Sequence, residues 1–286
     1  MRTVWRVALI LLVVLNGILV HPTKARAGVR DGFFVTSDGV RLHYLEVGPP
    51  AGRTIVLVPG WTMPAWIWAP QIAAFSRAYH VIAFDPRGQG KSDAPSWGYT
   101  PERRGQDIAE LVALFHTKVL LVGWSLGVLD SLAYLHQRGD AAVAGLVLVD
   151  NSVGEEPAPP PGRPTPRVPH AQFMARFVRA MFHVPQPGAY LDRLTAASLR
   201  TPEPACRALL AYPVPRAYWR EALYATDRPL LYVVRPRFAA QAANVRRMRP
   251  NTETVVFANA GHALFVDEPG RFDAVVEGFI RERVWR

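Results

Sequence analysis

Ser125 stands in Gly123-Trp124-Ser125-Leu126-Gly127, between a β-type run at 118–123 and a helical run at 126–137. A serine hydroxyl becomes a nucleophile when a base takes its proton, and a tight strand-to-helix turn exposes it for attack. The glycines two positions to either side let strand and helix approach. The N–H of Leu126 opens the helix, so with the dipole behind it that group can receive a developing oxyanion. His262, in Asn259-Ala260-Gly261-His262-Ala263, supplies the base. It follows the β-type run at 254–257, which in a parallel arrangement ends at the same sheet edge as Ser125. The other histidines fit this role worse. His43 lies within an early strand, His80 precedes its strand at the opposite edge, and His116 and His136 fall at helix ends.

Positioning these two residues requires a sheet. Phe33–Thr36 and Arg41–Val47 flank Ser37-Asp38-Gly39 and read as a hairpin. Thr54–Val58, Val81–Phe84, Lys118–Gly123 and Gly145–Asp150 are runs without polar alternation, which suits strands buried on both faces of a parallel sheet. Between them, Ile108, Leu111, Val112 and Phe115 make the apolar stripe of a helix at about 101–116. The rhythm stops at 151, and residues 155–169 hold seven prolines, which neither pair as a strand nor continue a helix. Phe173, Phe177, Val178 and Met181 then mark an amphipathic helix, and helical pieces run to about 225. Leu230–Val234, a helix near 238–248, Thr254–Phe257 and a helix near 269–284 resume the alternation. The expected organisation is a core in two parts, 28–152 and 225–286, interrupted by a helical cap at 153–224.

With Pro59-Gly60-Trp61 and Asp85-Pro86-Arg87-Gly88-Gln89-Gly90-Lys91-Ser92-Asp93 beside the serine motif, the chain resembles the α/β-hydrolase superfamily. Its small-ester carboxylesterases, which carry a cap, are the nearest in pattern. The resemblance implies a mostly parallel eight-stranded sheet with helices on both faces. It also implies a second oxyanion donor, the Trp61 N–H, although relatives usually have His-Gly where this chain has Pro59-Gly60. The 85–93 segment reads as structural, with Asp85 and Arg87 ordering the loop.

The same resemblance predicts the order Ser, acid, His, with the acid after the next-to-last strand. Here Leu230–Val234 runs into Arg235-Pro236-Arg237, and no Asp or Glu occurs between Asp227 and Glu253. Asp227 and Glu253 precede their strands and so lie at the wrong edge. Asp267 and Glu268 open the last helix, where acids favour the dipole. Asp150 ends its strand at the carboxyl edge and keeps the order, so it is the expected acid, holding the imidazole tautomer and stabilising the imidazolium. Asp130, five residues along the helix from Ser125, and a dyad without an acid are the alternatives. Trp124, Val153, Phe173, Phe177 and Leu264 are the expected substrate-binding side chains, with Trp66 and Trp68 nearby.

The expected function is a serine hydrolase that cleaves esters or lactones of apolar small molecules through an acyl-enzyme, with no metal or organic cofactor. Epoxide hydrolysis and haloalkane dehalogenation need a carboxylate where Ser125 stands. Two other readings are a proline-type aminopeptidase, using Glu203 or Glu221 to bind an amine, and a non-catalytic binding protein on the same scaffold. Charge invites a nucleic-acid reading, since 33 Lys and Arg face 23 Asp and Glu over 286 residues. Four of those cations lie in the first 27 residues, which contain no acid, and most arginines stand singly. Nucleic acid is therefore not an expected partner. Arg2, Arg6, the apolar stretch Val7–Val20 and Ala25-Arg26-Ala27 read as an export signal. This stretch of 14 residues, broken only by Asn16 and Gly17, falls short of a ~30 Å hydrocarbon core at about 1.5 Å per residue. An uncleaved anchor over 7–20 is the alternative, and either places the remainder outside the cytoplasm, periplasmic or secreted. The single cysteine, Cys206, has no internal partner for a disulfide.

Overall fold

The computed structural model describes residues 28–159 and 168–286. The export signal expected at 1–27, and part of the proline-rich stretch, lie outside the described residues. Eight strands form one sheet: β1 (Arg30–Val35), β2 (Arg41–Val47), β3 (Thr54–Val58), β4 (His80–Asp85), β5 (Val119–Trp124), β6 (Val143–Val149), β7 (Leu230–Val234) and β8 (Thr252–Val256). Their spatial order is β1-β2-β4-β3-β5-β6-β7-β8. The β1–β2 and β2–β4 pairs are antiparallel and the remaining pairs parallel.

The unbroken apolar runs have the expected cause. Every residue of β3, β4, β5 and β7 is buried, because helices cover both faces. Successive side chains of a strand point to opposite faces, so Val56 and Val58 join one core while Ile55 and Leu57 join the other. The first core is closed by α2 (Pro101–Val112), α3 (Leu126–Arg138) and α8 (Ala239–Met248). The second is closed by α1 (Ala69–Phe75) and α10 (Pro269–Phe279). No periodicity marked α1 in the sequence. Its seven residues make two turns, too few for a stripe to repeat.

Between β6 and β7 the chain leaves the sheet for α4 (His170–Ala180), α5 (Gly188–Leu199), α6 (Glu203–Leu209) and α7 (Arg216–Tyr224). These helices have no core of their own. Met174, Cys206 and Leu223 pack into the first core, and Val178, Met181 and Leu194 into the second. The insertion thus straddles the carboxyl edge of the sheet. A four-residue α9 (Leu264–Asp267) follows β8. No helix among the described residues is long and apolar enough to cross a membrane.

Candidate active site

Ser125 joins β5 to α3 with φ 54° and ψ −120°, a backbone conformation costly for a side chain. Two close approaches enforce it. A Cβ at Gly123 would lie 2.4 Å from the Gly127 carbonyl oxygen, and one at Gly127 would lie 2.4 Å from that of Val58. The Ser125 N–H donates to the Val149 carbonyl at 2.9 Å, and Asn151 Nδ2 donates to the Ser125 carbonyl at 2.8 Å. Among the described non-glycine residues only Thr62, Ser125 and Asp150 have positive φ. All three lie within or beside the site, so the strain is concentrated where geometry matters.

His262 Nε2 is 2.8 Å from Ser125 Oγ, and its Nδ1 is 2.7 Å from Asp150 Oδ2. Pairing with the carboxylate assigns the proton to Nδ1 and leaves Nε2 to accept from the serine. The His262 backbone is held by Trp124, whose Nε1 donates to the His262 carbonyl at 2.8 Å. Gly261 is equally constrained, since a Cβ there would meet the Met181 carbonyl at 2.4 Å. Its N–H donates to Asp267 Oδ2, which also accepts the His183 N–H at 2.8 Å. Asp267, expected only at a helix start, therefore ties the histidine loop to the insertion.

Asp150 is 1% exposed and follows directly on β6 with φ 50°. Oδ2 also accepts from Arg235 Nε at 2.6 Å, and Oδ1 from the Arg235 N–H at 2.9 Å. Burial pushes this carboxyl up, but the hydrogen bond and charge of His262, with Arg235, outweigh it and hold it below the usual aspartate range. Asp130, the alternative acid, is buried against Arg104 Nε at 2.9 Å. Burial pushes it up to about 6 despite the arginine, and its partner lies on α2.

Trp61 and Leu126 both line the space above Ser125, and among the described residues neither backbone N–H donates to a protein acceptor. The Trp61 indole N–H is taken by the Cys206 carbonyl at 2.9 Å. The turn that presents Trp61 is braced by Gln89. Its Oε1 accepts the Thr62 N–H at 2.7 Å, while Nε2 donates to the carbonyls of Gly60 and Met63, each at 3.2 Å. This role for the 85–93 segment had no sequence signal beyond the motif itself. Gly60 is needed here because a Cβ would approach that of Ser125 to 2.9 Å.

A cavity of about 340 Å³ opens above Ser125. Phe177 lines it, whereas Phe173 lines a smaller adjoining cavity of about 240 Å³ with Trp61 and Cys206. Trp124, Val153 and Leu264, expected to bind substrate, do not reach it. Each is almost wholly buried, because Trp124 packs edge-on against Trp68 and Phe265, Val153 enters the first core and Leu264 the second. Trp68 stacks on Phe265 at 3.9 Å. Trp66 lines a separate, larger cavity near β1 and β2, which Ser125 does not line. Met181, Leu210, Tyr212, Arg235, Arg237 and Phe238 line the Ser125 cavity instead. Of these, the arginines were visible as a peculiarity after the strand at 230–234. Glu203 lines only the adjoining cavity, and Glu221 is exposed on α7. Among the described residues no group of three His, Cys, Asp or Glu side chains is arranged to hold a metal ion.

The model of the Alpha/beta hydrolase family matches residues 55–275. The chain belongs to this family. Among curated relatives, a non-heme chloroperoxidase of Streptomyces lividans is 37% identical over 120 residues, 41% of this chain and 44% of that one. Epoxide hydrolase A of Mycobacterium tuberculosis is 32% identical over 157 residues, 52% of this chain and 45% of that one. The chain thus spans less than half the length of these two hydrolase-family relatives. Among solved structures, a putative aryl esterase from Burkholderia cenocepacia superimposes with a TM-score of 0.80 at 27% identity, covering 90% of this chain and 100% of that one.

Proposed function

We propose that this α/β hydrolase cleaves carboxylic esters of small molecules, lactones included, through an acyl-enzyme on Ser125. The observation that carries the reading is the continuous chain from Ser125 Oγ through His262 to Asp150, with bonds of 2.8 and 2.7 Å, at the floor of an open cavity. Ser125 attacks the carbonyl carbon while His262 Nε2 takes its proton. The tetrahedral oxyanion is received by the N–H groups of Leu126 and Trp61. His262 returns the proton to the departing alcohol oxygen. A water then gives its proton to His262 and attacks the acyl-enzyme, and His262 passes that proton to Ser125 Oγ as the acid leaves. Asp150 keeps Nδ1 protonated and offsets the charge of the imidazolium.

A hydroxyl nucleophile favours acyl transfer over epoxide opening by a carboxylate. The aryl-esterase likeness runs along nearly the whole chain, unlike the chloroperoxidase and epoxide-hydrolase matches. A fluorophosphonate probe tests the proposal. Stoichiometric labelling at Ser125, lost in Ser125→Ala, is expected together with hydrolysis of p-nitrophenyl esters. A wild-type protein that resists the probe overturns the reading in favour of a non-catalytic binder.

A further inference from the structure

The cavity above Ser125 has a charge pattern that acyl transfer does not itself require. Among the described residues Asp150 is the only carboxylate lining it, and that group is already engaged by His262 and Arg235. Two cations line the same space, Arg235 and Arg237. They are carried by Arg235-Pro236-Arg237, where β7 passes into a short 3-10 turn (Pro236–Phe238). Proline pre-sets the backbone between them. Arg235 bonds Asp150 through Nε, and its side chain remains 27% exposed. Arg237 is exposed and makes no ion pair among the described residues, its guanidinium carbon lying 5.5 Å from the Phe238 ring centre. One negative charge therefore faces two positive ones, and Arg237 is the uncompensated member. Phe177, Met181 and Leu210, which are apolar, line the same cavity.

A space with apolar lining, one unmatched guanidinium and, among the described residues, no free carboxylate suits a molecule with an apolar body and an anionic end. Guanidinium is the side chain whose planar fork matches a carboxylate with two parallel hydrogen bonds. Resting on the ester-hydrolase reading above, we infer that the preferred substrate is a carboxylate-bearing ester, its anionic group held by Arg237 and supported by Arg235. The reacting carbonyl stays over Ser125, and the carboxylate takes no part in bond making. A charge-assisted hydrogen bond in a partly open cavity is worth about tenfold in kcat/KM, more if water is excluded.

The test uses pairs of esters that differ in charge and little else. p-Nitrophenyl hydrogen glutarate against p-nitrophenyl valerate places the carboxylate on the acyl arm. 4-Acetoxybutanoate against butyl acetate places it on the alcohol arm. The anionic member of at least one pair is expected to be favoured about tenfold in kcat/KM, mainly through KM, with a KM that rises with salt as the neutral ester's does not. In Arg237→Gln the anionic-to-neutral ratio is expected to fall towards one. Neutral esters equal or better in both pairs, or a ratio unchanged in Arg237→Gln, overturn the inference even while the fluorophosphonate probe still labels Ser125. Failure of the probe to label overturns the parent reading, and the inference with it.

Discussion

His262 and His43 both meet an aspartate through Nδ1 at nearly the same distance, 2.7 Å to Asp150 and 2.6 Å to Asp85. What lies at the other nitrogen separates them. Nε2 of His262 faces Ser125 Oγ at 2.8 Å beside the cavity, whereas Nε2 of His43 faces Asp31 Oδ1 at 2.7 Å. The His43 side chain is 1% exposed and that of His262 21%. Their assembly also differs. His43 lies opposite Asp85 in the β2–β4 ladder, so sheet register alone brings them together. His262 reaches Asp150 from 112 residues away, across the end of β7. Asp85 further accepts the N–H groups of Ala65 and Lys91, so its pair fastens three segments. A histidine–aspartate contact is a rigid polar unit. Whether it anchors a loop or can move a proton depends on the third partner and on access.

Asparagine substitutions separate the two units. Asp150→Asn should lower kcat by about 10⁴-fold, through loss of the correct tautomer, with the far-UV dichroism of the folded chain retained. Asp85→Asn should do the reverse. Removing an acceptor from buried donors costs about 1–3 kcal/mol, several degrees in Tm for a domain of this size, with a far smaller loss of turnover per folded molecule. If Asp85→Asn matched Asp150→Asn in lost turnover while Tm held, the distinction would collapse.

A smaller effect sharpens the structural side of the comparison. Beyond Asp85 the loop continues to Arg87, which bonds Asp107 through Nε at 2.6 Å, and Asp107 shares Arg103 with Glu110. Burial alone would raise the Glu110 carboxyl. Hydrogen bonds from Ser37, Arg103 and Gln106 outweigh it and hold the group at about 2 rather than 4.5. Between those two values the folded chain binds fewer protons than the unfolded one. The contribution is therefore complete above pH 4.5 and drains as the pH falls towards 2. Glu110→Gln should flatten the fall of Tm with acidification in that window, and slopes equal to wild type would remove Glu110 from the network.

The sequence by itself determined the elements with local signatures. A strained turn between two glycines marks Ser125, because only small neighbours allow the strand and helix to close on it. Uninterrupted apolar runs mark strands covered on both faces, and the position of His262 after the last run places it at the right edge. The vacancy after Leu230–Val234 pointed to Asp150 by order along the chain. Its carboxylate's aim, however, depends on a positive φ at the strand end and on Arg235 approaching from the neighbouring strand. Only tertiary structure decided that Gln89 braces the Trp61 turn, that Trp124 holds the His262 backbone rather than a substrate, and that two arginines face the cavity. Residue type and spacing say what a side chain can do. Which neighbour it meets is settled by packing between segments far apart in the chain, and a local pattern carries no record of that.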